Sequence, residues 1–387
     1  MRKIPHVAVL IETSRAYGRG LLEGVARFVR ENGPWSIYFR PHALGEPPPP
    51  WLRRWKGDGI LVRIDNRETA RAVRATGLPA VDLRGRVPGL GLPRVGVDNR
   101  VLARLAAEHL LERGFRRFGF CGIPRGEHPH LYRRGEDFLR LIEEKGYPCA
   151  VFPGPNDRRA ATWEKEQDRL AAWVAGLPKP VGVMACNDDR GQQLLDACRR
   201  AGVLVPDEVA VIGVENDPIL CNLATPTLTS IDVNPQQVGY TAAALLDRLM
   251  AGDRPPPGGV FLGDCRVVTR QSTDVLALDD PELARAVHFI REHACEGIRV
   301  ADVLAQVSMS RSVLERRCKQ VLGRAPKALI LGMQIERARQ LLAETDLPLK
   351  MVALKCGFRT AKYFGDAFHR WVGERAGAYR RRLRQPG

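Results

Sequence analysis

Short apolar runs punctuate the first 270 positions, alternating with stretches whose apolar residues recur every three or four places. The runs are His6–Ile11, Ser36–Phe39, Gly59–Val62, Ala80–Val81, Val95–Val97, Arg117–Cys121, Cys149–Phe152, Val181–Ala185 and Val209–Val214. Their length and β-branched content predict strands. Between them, Leu21–Asn32, Ala103–Arg113, Arg134–Lys145, Glu164–Leu177 and Arg190–Ala201 follow helical spacing. Apolar strands separated by amphipathic helices predict parallel sheets built from βαβ units. The segment is too long for one such sheet, so two lobes are expected.

Beyond Pro281 the pattern turns wholly helical and repeats itself. Val303–Ser310 precedes an amphipathic helix with Leu314 and Cys318 inward and Gly323 at its end. Val352–Phe358 precedes another, with Phe364 and Phe368 inward and Gly373 at its end. The two share their spacing at an offset of 50 positions, and each predicts helix, tight turn, second helix. Ser310 or Ser312 and Thr360 are the expected N-caps of the second helices, and a long helix opening near Pro326 joins the units.

Charge sharpens this division. The chain of 387 residues has a formal net charge of +16. Residues 281–387 hold 21 Lys+Arg against 10 Asp+Glu, whereas the first 280 hold 39 against 34. A basic surplus gathered in one small domain is the footprint of a polyanion binder. Second helices of this kind enter the major groove by their N-terminal residues. Ser310, Arg311, Ser312, Arg316 and Arg317 in the first unit are the candidate contacts, with Arg359, Thr360, Lys362, Tyr363 and His369 in the second. Arginine suits guanine edges, while Lys, Tyr and Ser suit phosphates.

The nine cysteines include no C-x-x-C pair. This argues against a disulfide framework or a zinc ribbon, so buried thiols are expected and no metal or cofactor. No apolar run reaches a membrane-spanning length, and the opening MRKIPHVAVLIETSRAY lacks a signal-peptide pattern. A cytoplasmic protein is expected. Gly18, Gly20 and Gly24 miss the G-x-G-x-x-G spacing of a dinucleotide loop.

In open α/β sheets ligands bind beyond the carboxyl ends of the strands. That rule selects Glu12–Gly18, Asp98-Asn99, Cys186-Asn187-Asp188 and Glu215-Asn216-Asp217, together with Arg134 after the loop that follows Cys121. Carboxylates, amides and an arginine together suit the hydroxyls of a neutral polyol. The same residue types are also ordinary caps and turn formers.

VGVDN (Val95–Asn99), AAEHLLERGFRRFGFCG (Ala106–Gly122), ACNDDRGQQLL (Ala185–Leu195), VAVIGVEND (Val209–Asp217) and Leu228–Gly252 resemble the effector domain of LacI/GalR regulators, itself related to periplasmic sugar-binding proteins. The likeness spans about residues 5–270, and that family's amino-terminal DNA-binding segment has no expected counterpart here. It implies sugar contacts at Asp98, Arg134, Asn187 and Glu215, the last standing where Asp is commoner. Thr13, Ser14 and Tyr17 in the first loop complete the expected set.

Glu336–Phe358 and Tyr363–Leu383 resemble the AraC/XylS DNA-binding domain, with departures at Leu304, Ser308 and Ala376. Ser308 replaces a usual glycine, at about 1 kcal/mol if it adopts a left-handed conformation. The expected layout is therefore an α/β two-lobed periplasmic-binding-protein-like domain (residues 1–274), a linker (275–281) and an all-α double helix-turn-helix domain (282–387). This combination, with the junction residues Arg270–Asp274, Asp280-Pro281 and His288–Ile298, resembles xylose-responsive operon regulators. The resemblance implies a homodimeric activator of pentose catabolism genes, switched by D-xylose, with double-stranded DNA and RNA polymerase as partners. A regulator of another sugar, a sugar-processing enzyme and a transport-type binding protein are the alternatives.

Overall fold

The computed structural model describes residues 4–41, 43, 45–123, 128–152, 163–275 and 280–384. The chain divides into two compact units, residues 1–277 and 278–387. Most of the expected linker, residues 276–279, lies outside the described residues.

The first unit has two lobes. Lobe 1 opens with β1 (His6–Leu10), α1 (Ala16–Asn32), β2 (Ser36–Phe39), β3 (Gly59–Val62), α2 (Arg67–Ala75), β4 (Ala80–Asp82) and β5 (Val95–Val97). Lobe 2 takes up α3 (Asn99–Glu112), β6 (Phe118–Cys121), α4 (Pro129–Glu144), β7 (Cys149–Val151) and α5 (Trp163–Gly176). It continues through β8 (Val181–Ala185), α6 (Asp188–Arg200), β9 (Val209–Val214), α7 (Pro218–Leu223) and β10 (Thr229–Asp232). The chain then returns to lobe 1 for α8 (Pro235–Met250) and β11 (Val260–Leu262), and to lobe 2 for β12 (Arg266–Val268).

In lobe 1 the strand order is β2-β1-β3-β4, all parallel. A bridge between Asp82 and Arg94 leads on to the parallel pair β5-β11. Lobe 2 is a six-stranded sheet, β12-β10-β9-β8-β6-β7, antiparallel only at β12. Each sheet carries helices on both faces, which is why its central strands are apolar throughout. In lobe 1, α1 and α8 cover Val7, Val9 and Leu61 on one face, and α2 covers Ala8, Ile60 and Val62 on the other. The α1–α8 contact explains Gly20 and Gly24 of α1. A Cβ on Gly24 would lie 1.9 Å from the Gln236 carbonyl oxygen, and one on Gly239 2.0 Å from that of Leu21. These glycines let two helices touch and cradle no phosphate.

The observed helices begin earlier than their spacing predicts. The helix expected from Leu21 starts at Ala16, and the one expected to open at Arg134 starts at Pro129, which places Arg134 in its second turn. The crossover strands β11 and β12 have three residues each, too few for any periodicity to register.

The second unit comprises α9 (Pro281–His293), α10 (Val300–Leu304), α11 (Arg311–Leu322), α12 (Pro326–Glu344), α13 (Leu349–Lys355), α14 (Ala361–Val372) and α15 (Ala376–Arg384). Its two cores are separate. Leu283, Ile290, Val303, Leu314 and Cys318 form the first; Val352, Phe358, Phe364, Phe368 and Tyr379 form the second. Helix α12 serves both, giving Ile330 to the first and Ile335, Ala338 and Leu342 to the second.

Candidate effector cavity and nucleic-acid interface

A cavity of about 250 Å³ opens between the lobes where the strands end. Lobe 1 supplies Glu12, Arg15 and Tyr17 after β1, Arg63 after β3 and Arg84 after β4. Lobe 2 supplies His128, His130, Asn187, Asp189, Arg190 and Glu215. An adjoining space is lined by Asn99, Arg134, Glu215 and Tyr17 among others.

Arg134 is 5% exposed. Its Nε donates to Asn99 Oδ1 at 3.2 Å, and its Nη1 donates to the Cys186 carbonyl. Burial lowers its pKa, and the charge of Glu215 works against that shift. Conversely, burial raises the pKa of Glu215, opposed chiefly by Arg134. The two therefore stabilise one another in a poorly solvated place. Glu215 also has φ of +106°, unusual for a side-chain-bearing residue, and Asn216 follows at +53°. Bonds from Glu215 N to Ile231 O (2.9 Å) and from Asn216 N to Ser230 Oγ (3.0 Å) hold this turn.

On the lobe 1 wall, Arg63 pairs with Glu12 and lies over the Tyr17 ring, 5.1 Å from its centroid. Burial pushes the Tyr17 hydroxyl up to about 12, with Arg63 opposing. Arg84 Nε lies 2.7 Å from Asp65 Oδ1, and Asp65 also meets Arg86 at 2.9 Å. Contacts among the described residues that span the lobes include Arg15 with Asp189, and Arg84 Nη2 with His128 Nδ1 at 3.4 Å. His128 is pushed down to about 4, first by burial and then by Arg84. His130 is lowered by burial and by Arg134. Both imidazoles are neutral at pH 7.

The cavity brings together four of the expected ligands: Tyr17, Arg134, Asn187 and Glu215. Thr13, Ser14 and Asp98 do not line it. Ser14 is exposed, and Asp98 caps α3, its carboxylate accepting from Arg100 N at 2.9 Å. Asn99, one place on, faces the cavity instead. Asn187 caps α6 (Arg190 N to Oδ1, 3.0 Å) and lines the cavity as well. Arg63, Arg84, His128, His130 and Asp189 also line the cavity and are not among the expected ligands. Arg63 and Arg84 carried a usable signal, since they follow β3 and β4 as Glu12 follows β1. Among the described residues no group of three or more His, Cys, Asp or Glu could hold a metal ion. Among them, too, no helix is long and apolar enough to cross a membrane.

In the second unit the repeat is realised as α10–α11 and α13–α14. Ser310 caps α11 by accepting from Val313 N at 3.4 Å, and Thr360 caps α14 by accepting from Tyr363 N at 3.2 Å. Ser312 packs its hydroxyl on that of Ser310 (3.1 Å). Gly323 and Gly373 close the helices at φ of +67° and +88°. Gly357 takes +78° in the second turn, whereas neither Val307, its counterpart at the 50-residue offset, nor Ser308 has a positive φ. The left-handed cost anticipated for Ser308 does not arise; its N–H donates to Glu282 Oε2 at 2.6 Å. Arg311, Arg316, Arg359, Lys362, Tyr363 and His369 are all exposed. Arg317, its side chain 40% exposed, pairs with Asp280, the N-cap of α9.

A two-lobed ligand-binding unit in one chain with a double helix-turn-helix unit defines an effector-responsive transcription regulator. The xylose operon regulatory protein of Escherichia coli K12 is 32% identical over 94% of this chain and 93% of its own. The protein of the same description from Haemophilus influenzae is 30% identical over 94% of each. The chain belongs to the family of xylose operon regulatory proteins. Residues 107–273 match the periplasmic binding protein-like domain, and residues 303–382 match a helix-turn-helix domain. A solved structure described as the xylose-binding transcription activator xylR covers 99% of this chain and 100% of its own, at 30% identity and a TM-score of 0.83.

Proposed function

We propose that this regulator answers to a pentose of the D-xylose type held between its lobes, and that the bound sugar strengthens its grip on promoter DNA. The observation that carries the reading is that buried Arg134 and Glu215, each the chief opposite charge of the other, both line the space at the strand ends. An arginine and a carboxylate offer the donors and acceptors that sugar hydroxyls need. Tyr17 and Asn187 are the further ligands. Thr13, Ser14 and Asp98 belong to the proposed set only where closure of the lobes brings them nearer. Residues 1–274 are then the effector domain and 282–387 the DNA-binding domain. Arg311, Arg316, Arg359 and Lys362 contact bases or phosphates, with Ser310, Ser312, Thr360, Tyr363 and His369 beside them. Arg317 reaches DNA only by giving up Asp280.

The proposed assembly is a cytoplasmic homodimer that activates pentose catabolism genes through RNA polymerase. Names and solved relatives with xylose in their description support the choice of sugar. Thermal-shift measurements against pentoses and hexoses test it. A ligand at 100 times its Kd adds about 2.7 kcal/mol of stability, and a flat profile across the panel would remove the reading.

A further inference from the structure

We infer that Asp188, which lines neither the cavity nor its adjoining space, is a positioning residue for the effector: it clasps the main-chain turn that presents Glu215 to the sugar. This rests on the sugar-effector reading above. Strand-end position selects Asp188 together with Asn187, but the two diverge at the start of α6. Asn187 faces the cavity, whereas Asp188 is fully buried. Room for its carboxylate is left by Gly213, next to last in β9, where a Cβ would lie 2.3 Å from Asp188 Oδ1. Gly213 is paired in register with Ser230 of β10. The Ser230 hydroxyl donates to the same carboxylate oxygen at 2.5 Å.

Three successive N–H groups hold the turn. Glu215 N donates to Ile231 O, Asn216 N to Ser230 Oγ, and Asp217 N to Asp188 Oδ2 at 2.7 Å. Two of the three therefore depend on Asp188, one directly and one through the hydroxyl that it orients. The Cys221 thiol adds a further donor to Oδ2 at 3.5 Å. Arg270 Nη2 holds the Asn216 side chain at 2.7 Å, but a guanidinium has no acceptor to offer the N–H groups. Glu215 and Asn216 both have positive φ, which a residue with a Cβ keeps only where its surroundings over-determine it. Freed of the clasp, the turn relaxes to negative φ. The Cα–Cβ bond of Glu215 then swings round, and its carboxylate leaves the space that it shares with Arg134. Burial pushes the Asp188 pKa up to about 8. The clasp closes in either protonation state, because a neutral Asp188 donates to Ser230 Oγ while Oδ2 still accepts from Asp217 N. Asparagine reproduces that neutral arrangement, and alanine offers no acceptor at all.

The test is a calorimetric titration of the full-length protein with D-xylose. Asp188→Ala is expected to lower affinity by about tenfold or more, and Asp188→Asn to keep most of it. Ser230→Ala removes the acceptor of Asn216 N and is expected to weaken binding several-fold. It carries the test if the melting curve of Asp188→Ala shows that it does not fold. A double-mutant cycle separates positioning from a general loss of stability. In the Glu215→Ala background, Asp188→Ala or Ser230→Ala should cost no further affinity, because the side chain that the clasp presents is already gone. Wild-type affinity in the single variants, or losses that simply add to that of Glu215→Ala, would overturn the inference and leave the sugar reading standing. Failure of the wild type to bind D-xylose would instead bring down the sugar reading on which the inference rests.

Discussion

Arg134 and Glu215 show how much a single side chain decides here. Each is a charge removed from water, and each is tolerated because the other is near. Replacing Arg134 with Ala leaves the Asn99 amide and the Cys186 carbonyl without their donor as well as Glu215 without its counter-charge. Sugar affinity is expected to fall by about 1 to 3 kcal/mol in Arg134→Ala and in Glu215→Ala. Calorimetry checks this, and unchanged affinity in both variants would remove these residues from the site. Both were expected from the sequence, Glu215 from its place after a strand and from family likeness, and Arg134 mainly from that likeness, since it lies in the second turn of α4. Asp98 also follows a strand and matches the likeness; its Oδ1 caps α3 as that of Asn187 caps α6, but unlike Asn187 it does not line the cavity. A residue type equally good at capping and at sugar binding is not assigned by its position alone.

At the scale of elements, the reading heads depend on their caps. Thr360 supplies the side-chain bond that starts α14, and Ser310 does the same for α11. Thr360→Ala is expected to cost about 1 kcal/mol of stability in the second unit and to weaken operator binding, seen as a lower melting transition and a weaker mobility shift. A second element-level device lies at the exit of the first unit. Ser272 Oγ donates to Val211 O at 2.6 Å, Arg113 Nε donates to Thr273 O at 2.8 Å, and His109 Nε2 meets Thr273 Oγ1 at 2.8 Å. The chain therefore leaves the effector unit from lobe 2. His109 is 6% exposed and pushed down to about 3, by burial and then by Arg113. The unfolded chain takes up this proton below about pH 6.5 while the fold resists it, so stability is lost as pH falls from there toward 3. The loss attributable to this group approaches 1.4 kcal/mol per pH unit. His109→Gln is expected to flatten the acid limb of a urea-denaturation series relative to wild type, and identical limbs would contradict the assignment.

For the whole molecule, an effector alters DNA affinity only if it favours the DNA-competent form. Two helix-turn-helix units per chain, doubled in the proposed homodimer, make four reading heads. Small changes in how many engage together act through effective concentration and require no new base contact. The cognate sugar is expected to strengthen operator binding by about 1 to 3 kcal/mol, the usual range for such coupling. Residues 280–387 alone are expected to bind weakly and to ignore sugar. Mobility-shift titrations at fixed salt check both, and equal affinity with and without sugar would assign the response to polymerase contact.

The sequence by itself determined most of the elements and their kinds, because apolar periodicity and the 50-residue repeat are local properties that burial requires; β10, β11 and β12 escaped it. It also placed the basic surplus in the helical unit, since net charge needs no geometry to be counted. Only the tertiary structure decided which strand-end residues share one space. Arg63, Arg84, His128 and Asp189 are far apart in the chain, and two separate sheets had to close on each other before they faced the same cavity. It also brought Arg317 to Asp280, 37 positions away. Polar side chains satisfy whichever partner folding brings within reach, and that partner is not written in their spacing.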